Sequence, residues 1–190
     1  MGSAHARDKH ERERRYFCIQ ESFQGSHLYR IPALVQEAAQ RRVIVFYHIA
    51  AMNSWREVVE GQLSRLVFSG LYDRADTVFC GITAPSQTIL VEAIRLVTGF
   101  GAKIKVLEQV VNSTEYERLT LHRIRENTVA TDAILYFHSK GVSSKPQGQK
   151  RKAEKSHWRF IMEYWLMGKH ALCIEALDTF DVVGVASFFI

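Results

Sequence analysis

The stretch Asp132-Ala-Ile-Leu-Tyr-Phe-His-Ser-Lys-Gly-Val-Ser-Ser144 predicts both a fold class and the position of a functional site. Residues 133–137 are apolar or aromatic throughout, which is typical of a strand buried inside an α/β sheet. Four residues of different character follow at once: His138, Ser139, Lys140 and Gly141. Because ligands of open α/β sheets bind beyond the carboxyl ends of the strands, these four residues occupy the predicted site.

Upstream of this stretch, short β-branched runs alternate with amphipathic stretches, which is the pattern of βαβ units. Strands are predicted at residues 43–47, 77–82, 103–107, 133–137 and 181–186. Helices are predicted after N-caps at Asn53 or Ser54 and at Ser86, from about Ser113, and from His157, with a polar loop over residues 143–156. The predicted fold class is α/β, with a mainly parallel open sheet flanked by helices on both faces.

Length and composition predict one globular unit preceded by an extension. The chain has 190 residues, of which 47% are hydrophobic and 24% charged, enough for one sizeable core. Residues 1–41 are predicted to be an N-terminal extension that is partly disordered, because residues 1–15 are charged and aperiodic. The three cysteines are widely spaced, which favours free thiols over a disulfide framework. Without a run of about 18 apolar residues or a secretory signal, we expect no membrane span and a cytoplasmic protein.

Side chains that could carry chemistry follow three of the predicted strands. His48 and Asn53 follow the first strand, Thr83 the second, and His138 begins the run after the fourth. Parallel strands bring these ends to one edge of the sheet, so residues far apart in sequence can line one cleft. Each residue taken singly could be an ordinary loop residue, but two histidines and a lysine at one edge favour a site.

The segment 139–159 is strongly basic. It contains seven Lys or Arg residues and one acid, Glu154, and the whole chain has a net charge of +5. An anionic ligand is expected here, although Lys145 to Lys155 could equally form a solvated loop. Lys140 differs because it directly follows a buried strand and precedes Gly141, which lets a ligand approach the backbone. Nucleic acid is disfavoured, since aromatic residues do not interleave with the basic ones as in a stacking platform.

Several motifs, in order and spacing, resemble one known family. They are Phe46-Tyr-His-Ile-Ala50, Gly61-Gln-Leu63, Ser69-Gly-Leu-Tyr-Asp73, Asn112, Glu115-Tyr116, Thr120-Leu121, Tyr136-Phe-His-Ser-Lys-Gly-Val-Ser143, Trp158-Arg159, Met162-Glu-Tyr164 and Asp181-Val-Val-Gly184. Together they resemble glycosyltransferase-like proteins of algae, bacteria and large viruses of algae. The resemblance covers about residues 42–187 and implies a GT-A-type, Rossmann-like nucleotide-sugar-binding fold over residues 42–190. The implied activity is transfer of a sugar from a nucleoside diphosphate sugar to a glycan or glycoprotein.

The resemblance also implies roles for individual residues. The implied donor-binding residues are His48, Ala50, Asn53, Glu115, His138, Ser139, Lys140, Gly141 and Arg159. Lys140 and Glu163 are the predicted catalytic residues. Glu163 lies one helical turn after Arg159, so it could be a general base or an ion-pair partner.

Metal dependence is left open by one departure from the family. GT-A enzymes usually hold Mn²⁺ or Mg²⁺ with an Asp-x-Asp motif after the fourth strand, where this chain has His138-Ser139-Lys140. Either His138 binds a metal together with a carboxylate from elsewhere, or Lys140 neutralises the diphosphate itself. We favour the second interpretation, with a metal-independent or weakly metal-assisted site.

A non-catalytic module is the alternative function. GT-A enzymes commonly carry an acceptor-binding half after the central strands, and a chain ending at Ile190 could lack part of it. Such a C-terminally truncated glycosyltransferase would bind a nucleotide sugar or a glycan without turnover.

Overall fold

The computed structural model describes residues 16–20, 41–111, 116–139 and 149–186. The strands in these ranges are β1 (Tyr16–Gln20), β2 (Val43–Ala50), β3 (Thr77–Ala84), β4 (Ile104–Val111), β5 (Ala133–His138) and β6 (Val182–Ala186). The helices are α1 (Trp55–Phe68), α2 (Leu71–Arg74), α3 (Gln87–Thr98), α4 (Arg118–Asn127), α5 (Gln149–Met162) and α6 (His170–Ala176), with a π-helix at Glu163–Met167 between α5 and α6. None of these helices is both long and apolar enough to cross a membrane.

A four-stranded, all-parallel sheet organises the fold. Its strand order is β4-β3-β2-β5, so β2 and β3 are the central strands. His48 on β2 is the register partner of Gly81 on β3 and of His138 on β5. The predicted α/β class with a parallel sheet is confirmed, and the arrangement is consistent with a Rossmann-like fold.

The last predicted strand forms, but it lies in a different sheet. β6 pairs in parallel with β1 in a two-stranded sheet, with Tyr16 opposite Val182. The predicted N-terminal extension therefore contributes a strand. Residues 1–15 and 21–40, on which the prediction of partial disorder also rests, lie outside the described residues.

The main hydrophobic cluster lies on one face of the four-stranded sheet. Alternate residues of β2, including Val45 and Tyr47, point into it because successive side chains of a strand face opposite sides. They pack against α1 and α3, which contribute residues such as Leu63 and Val97 at helical spacing. Each fully buried side chain of this kind stabilises the fold by about 1.5–3 kcal/mol.

The opposite face of the sheet carries His48 and is covered by α4. That helix contacts β2, β3 and β4, and its buried Thr120 lies over Gly81. A Cβ atom added at Gly81 would be 1.9 Å from the Thr120 hydroxyl oxygen. Gly81 therefore permits the close approach of α4 to the sheet, and helices flank both faces as predicted.

The helix boundaries correct two predictions. Residues 149–156 belong to α5 rather than to a loop, because Gln, Lys, Arg, Ala and Glu are strong helix formers even in a run that is mostly polar. Ser54 is the N-cap residue of α1 but makes no side-chain capping bond, whereas Ser86 accepts a hydrogen bond from the Ile89 amide as expected. The predicted helix from Ser113 is represented by α4, which begins at Arg118, while Ser113 itself lies outside the described residues.

The π-helix shapes the end of α5. The amide of Gly168 donates to the carbonyl oxygen of Glu163 at 3.0 Å, which is a hydrogen bond to the fifth preceding residue. A Cβ atom at Gly168 would be 2.6 Å from the carbonyl oxygen of Tyr164, so the turn requires glycine. Single π turns are frequent at functional sites, and this one begins at a residue predicted to be catalytic.

Candidate functional site

The carboxyl ends of β2 and β5 form one side of the candidate site. The Ser139 amide donates to the His48 carbonyl oxygen at 3.0 Å, and the Ala50 amide donates to the Ser139 hydroxyl oxygen at 2.9 Å. Ser139 is buried and His138 is half-buried. These bonds join three of the predicted donor-binding residues, His48, Ala50 and Ser139, and the strand register places His138 beside His48 at the same edge of the sheet.

His48 is a buried, neutral imidazole. Only 4% of the residue is exposed, and its Nδ1 atom lies 2.9 Å from the Thr120 hydroxyl oxygen. Burial disfavours the charged form and lowers the pKa of His48 to about 4. At neutral pH His48 therefore offers hydrogen bonding rather than a positive charge.

A carboxylate approaches the edge from the segment before α4. Glu117 accepts a hydrogen bond from the Tyr136 hydroxyl at 3.0 Å, and the same carboxylate oxygen lies 3.9 Å from Nδ1 of His138. Burial, together with this hydrogen bond, raises the pKa of Tyr136. Glu115 was predicted as a donor-binding residue, and Glu117 was not. Nothing in the sequence set Glu117 apart, because this helix was predicted to begin at about Ser113, whereas α4 begins at Arg118.

Arg159 and Glu163 lie in a groove between α1 and α5, which we call the α1–α5 groove. It has a volume of about 290 Å³. The residues that line it are Ser54, Glu57, Val58, Gly61, Gln62, Arg65, Ser156, Arg159, Phe160 and Glu163. The spacing of Arg159 and Glu163 on one helix face was predicted, whereas the contribution of α1 was not.

Glu163 is largely buried in this groove. Its carboxylate lies 3.9 Å from Nε of Arg65, and 14% of its side chain is exposed. Burial raises the pKa of Glu163, while a hydrogen bond from Gln62 and the charges of Arg65 and Arg159 oppose the rise. The carboxylate thus has an ion-pair partner and is also displaced toward the pKa range of a general base.

Gln62 connects the groove with the strand ends. This buried side chain accepts a hydrogen bond from the Tyr47 hydroxyl at 2.7 Å and donates to the His138 carbonyl oxygen at 3.5 Å. Through the hydrogen bond to Glu163 it also reaches the opposite wall. The α1–α5 groove is therefore adjacent to the carboxyl end of β5.

The remaining predicted residues are placed only in part. Asn53 lies in the turn between β2 and α1 with a φ of 52°, a left-handed conformation that asparagine tolerates better than most residues. Glu115, Lys140 and Gly141 lie outside the described residues.

Two described side chains could contribute ligands to a metal. They are His138 and Glu117, whose nearest nitrogen and oxygen atoms are 3.9 Å apart. Within the described ranges, no group of three or more His, Cys, Asp or Glu side chains is arranged to hold a metal ion. These residues therefore form a pair of candidate ligands rather than a complete set.

Comparisons with protein-family models, with curated proteins and with solved structures find no match to this chain. Its function must therefore be inferred from its own residues.

Proposed function

We propose that this protein is a glycosyltransferase with a GT-A-like fold, which moves a sugar from a nucleoside diphosphate sugar to a glycan or glycoprotein acceptor. The main support is the joined carboxyl edge of β2 and β5. There His48 faces His138 in register, and Ser139 is bonded to both His48 and Ala50. Nucleotides are bound at this edge in open parallel sheets.

The donor diphosphate is proposed to bind beyond Ser139. Cleavage of the anomeric bond develops negative charge on the departing diphosphate, which requires a nearby positive group. Lys140 follows Ser139 directly in the chain, and Ser139 is held by two hydrogen bonds. The neutral His48 is buried with its Nδ1 atom beside the Thr120 hydroxyl, so its proposed role is to hold this edge of the sheet in place for the donor rather than to bind the charged diphosphate.

Glu163 is the proposed general base. The acceptor oxygen attacks the anomeric carbon, its proton passes to the Glu163 carboxylate, and the bond from that carbon to the diphosphate oxygen breaks. The raised pKa of Glu163 favours this role, because a base works best when its pKa approaches the working pH. The α1–α5 groove gives an acceptor hydroxyl access to the carboxylate.

A non-catalytic nucleotide-sugar- or glycan-binding module is the second candidate. The ion pair between Glu163 and Arg65 supports it, since that contact gives the carboxylate a structural role without any reaction. A protein of this kind would bind the same ligands at the same edge.

The direct test is thermal unfolding of the full chain with a panel of nucleoside diphosphate sugars, in Mn²⁺ and in chelator. A donor at 100 times its dissociation constant stabilises the fold by about 2.7 kcal/mol. A shift with one donor, followed by sugar transfer, is the expected result. Absence of any shift would overturn both candidates, and binding without hydrolysis or transfer would favour the module.

Two further comparisons locate the diphosphate and test the metal. Lys140→Ala is expected to weaken donor binding more than the control Lys150→Ala, and equal effects would place the diphosphate elsewhere. Activity that survives chelation is expected if Lys140 supplies the charge. Complete loss restored by Mn²⁺ would assign that role to a metal.

A further inference from the structure

The α1–α5 groove contains an unexplained glycine. Gly61 lies within α1, where glycine is less favourable than alanine because it loses more backbone freedom when the helix forms. A Cβ atom added there would meet nothing within 4 Å, so no neighbouring atom requires its absence. Gly61 also lines the groove. Its missing side chain therefore leaves open space in the groove wall at the expense of helix propensity.

The charges in the groove are balanced. Arg65 and Arg159 are opposed by Glu57 and Glu163, which gives two positive and two negative groups. A charged ligand of either sign would meet groups of its own sign here. A neutral ligand with many hydroxyls finds both donors and acceptors, because guanidinium groups only donate hydrogen bonds and carboxylates only accept them.

An aromatic ring completes the groove wall. Phe160 lines the groove and is 50% exposed, so part of the residue remains accessible to a ligand. The Arg65 guanidinium lies 5.6 Å from its ring centroid, and the Tyr164 ring is stacked beside it at 6.3 Å. The electron-rich face of such a ring attracts the weakly positive C–H groups on the apolar face of a pyranose.

We propose that the α1–α5 groove binds a neutral sugar residue of the acceptor, with Phe160 stacking on the ring, Arg65 and Glu163 bonding its hydroxyls, and Gly61 keeping the groove open. The role as acceptor site rests on the proposed function. The preference for an uncharged saccharide rests on the groove itself.

The test uses a substitution that fills the groove while favouring the helix. Gly61→Met is compared with Val67→Met, an exposed position on the same helix that does not line the groove. Both changes introduce a better helix former, so neither is expected to lower the unfolding temperature. The probes are short neutral oligosaccharides of glucose, galactose or mannose, with binding to the full chain followed by saturation-transfer NMR and calorimetry.

The expected result is binding of at least one neutral oligosaccharide, weakened by about tenfold or more in Gly61→Met and unchanged in Val67→Met. If Gly61→Met does not fold, Gly61→Ala takes its place and is expected to weaken binding to a smaller degree. The proposal would be overturned if no neutral oligosaccharide binds, or if wild type and both Gly61 variants bind one equally well. Preferential binding of a uronic-acid oligosaccharide would also overturn it.

Donor binding measured on the same proteins separates the two proposals. Oligosaccharide binding that depends on Gly61, without any nucleoside diphosphate sugar bound, would retain the groove and reject the glycosyltransferase. Donor binding without oligosaccharide binding would reject the saccharide site in the groove and retain the glycosyltransferase. Where a donor does bind, Gly61→Met is expected to leave donor affinity at its wild-type value.

Discussion

The Nδ1 atom of His48 lies 2.9 Å from the hydroxyl oxygen of Thr120, and this contact joins the carboxyl end of β2 to α4. Both residues are buried, and Gly81 on the adjacent strand leaves the space in which the Thr120 hydroxyl sits. Protonation of His48 in acid would therefore disturb the contact that holds α4 against β2.

The buried imidazole is expected to make the fold sensitive to acid. Burial lowers the pKa of His48 from 6.5 to about 4. Between these pH values His48 is mostly protonated in the unfolded chain and mostly neutral in the folded protein. The stability from neutral His48 is complete above pH 6.5 and is lost as the pH falls toward 4, by at most on the order of 3 kcal/mol. Urea unfolding across this range should show a shallower loss in His48→Asn than in wild type. Substitution of the exposed His157 by Asn provides the control. If the stability of His48→Asn falls with pH as steeply as that of wild type, the prediction is wrong.

Gly81→Ala is expected to destabilise the protein by about 1–3 kcal/mol, because the new Cβ atom collides with Thr120. The cost should shrink in a Thr120→Ala background, since the hydroxyl oxygen at 1.9 Å is then gone and the Thr120 Cβ atom lies at 3.1 Å. A double-mutant cycle measured by urea unfolding gives the coupling. Gly184→Ala is the matched control, because a Cβ atom there meets nothing within 4 Å. If the effects of Gly81→Ala and Thr120→Ala on the free energy of unfolding simply add, the close approach of Thr120 to Gly81 does not determine how α4 packs on the sheet.

Glu163→Gln is expected to lower kcat by about 10²–10⁴-fold while leaving donor binding intact, because the amide cannot accept the acceptor's proton. In wild type the rate should fall as the pH drops through the raised pKa of Glu163, and this limb should be absent from the residual activity of the variant. Glu57→Gln removes the other groove carboxylate and serves as control. An equal loss in both variants would leave Glu163 as the ion-pair partner of Arg65.

Arg42→Lys is expected to lower the urea midpoint at neutral pH. Arg42 binds both carboxylate oxygens of Asp132, at 2.9 and 2.5 Å, and thereby joins the starts of β2 and β5. Lysine cannot reproduce this two-pronged contact. The hydrogen bond from Arg42 is the main cause of the lowered pKa of Asp132, so the difference between the proteins should persist above pH 3.8 and vanish as Asp132 is protonated below it.

The control for Arg42 is Arg56→Lys, which changes an exposed residue near Glu60 and Glu92. Exposed pairs of this kind contribute little, so the midpoint should hardly move. If Arg56→Lys lowers the urea midpoint as much as Arg42→Lys does, the contact between Arg42 and Asp132 contributes no more stability than an exposed ion pair.

The sequence was sufficient for the parallel sheet because hydrophobic periodicity and helix caps are local signals. The strand predicted at residues 43–47 extends to Ala50, since its pairing with β5 continues through His48 and its pairing with β3 continues through Ala50. No local signal revealed this extension. The charged run 149–156 was misassigned because its polarity suggested a loop, although its residues favour a helix.

The candidate site was only partly accessible from sequence for a similar reason. His48, Ala50, His138 and Ser139 could be grouped because parallel strands end at one edge. Gln62 and Arg65 were missed because their role depends on α5 packing beside α1, which neither helix encodes alone.

The π turn at Glu163–Met167 changes which side chains share one face of this helical segment. A bond to the fifth preceding residue accommodates one residue more than an α-helical turn. Residues before and after the turn are therefore offset by about 100° around the axis from the register of a continuous α-helix. Glu163 can thus face Arg65 while the residues after Gly168 keep directions that an unbroken α-helix would not allow them.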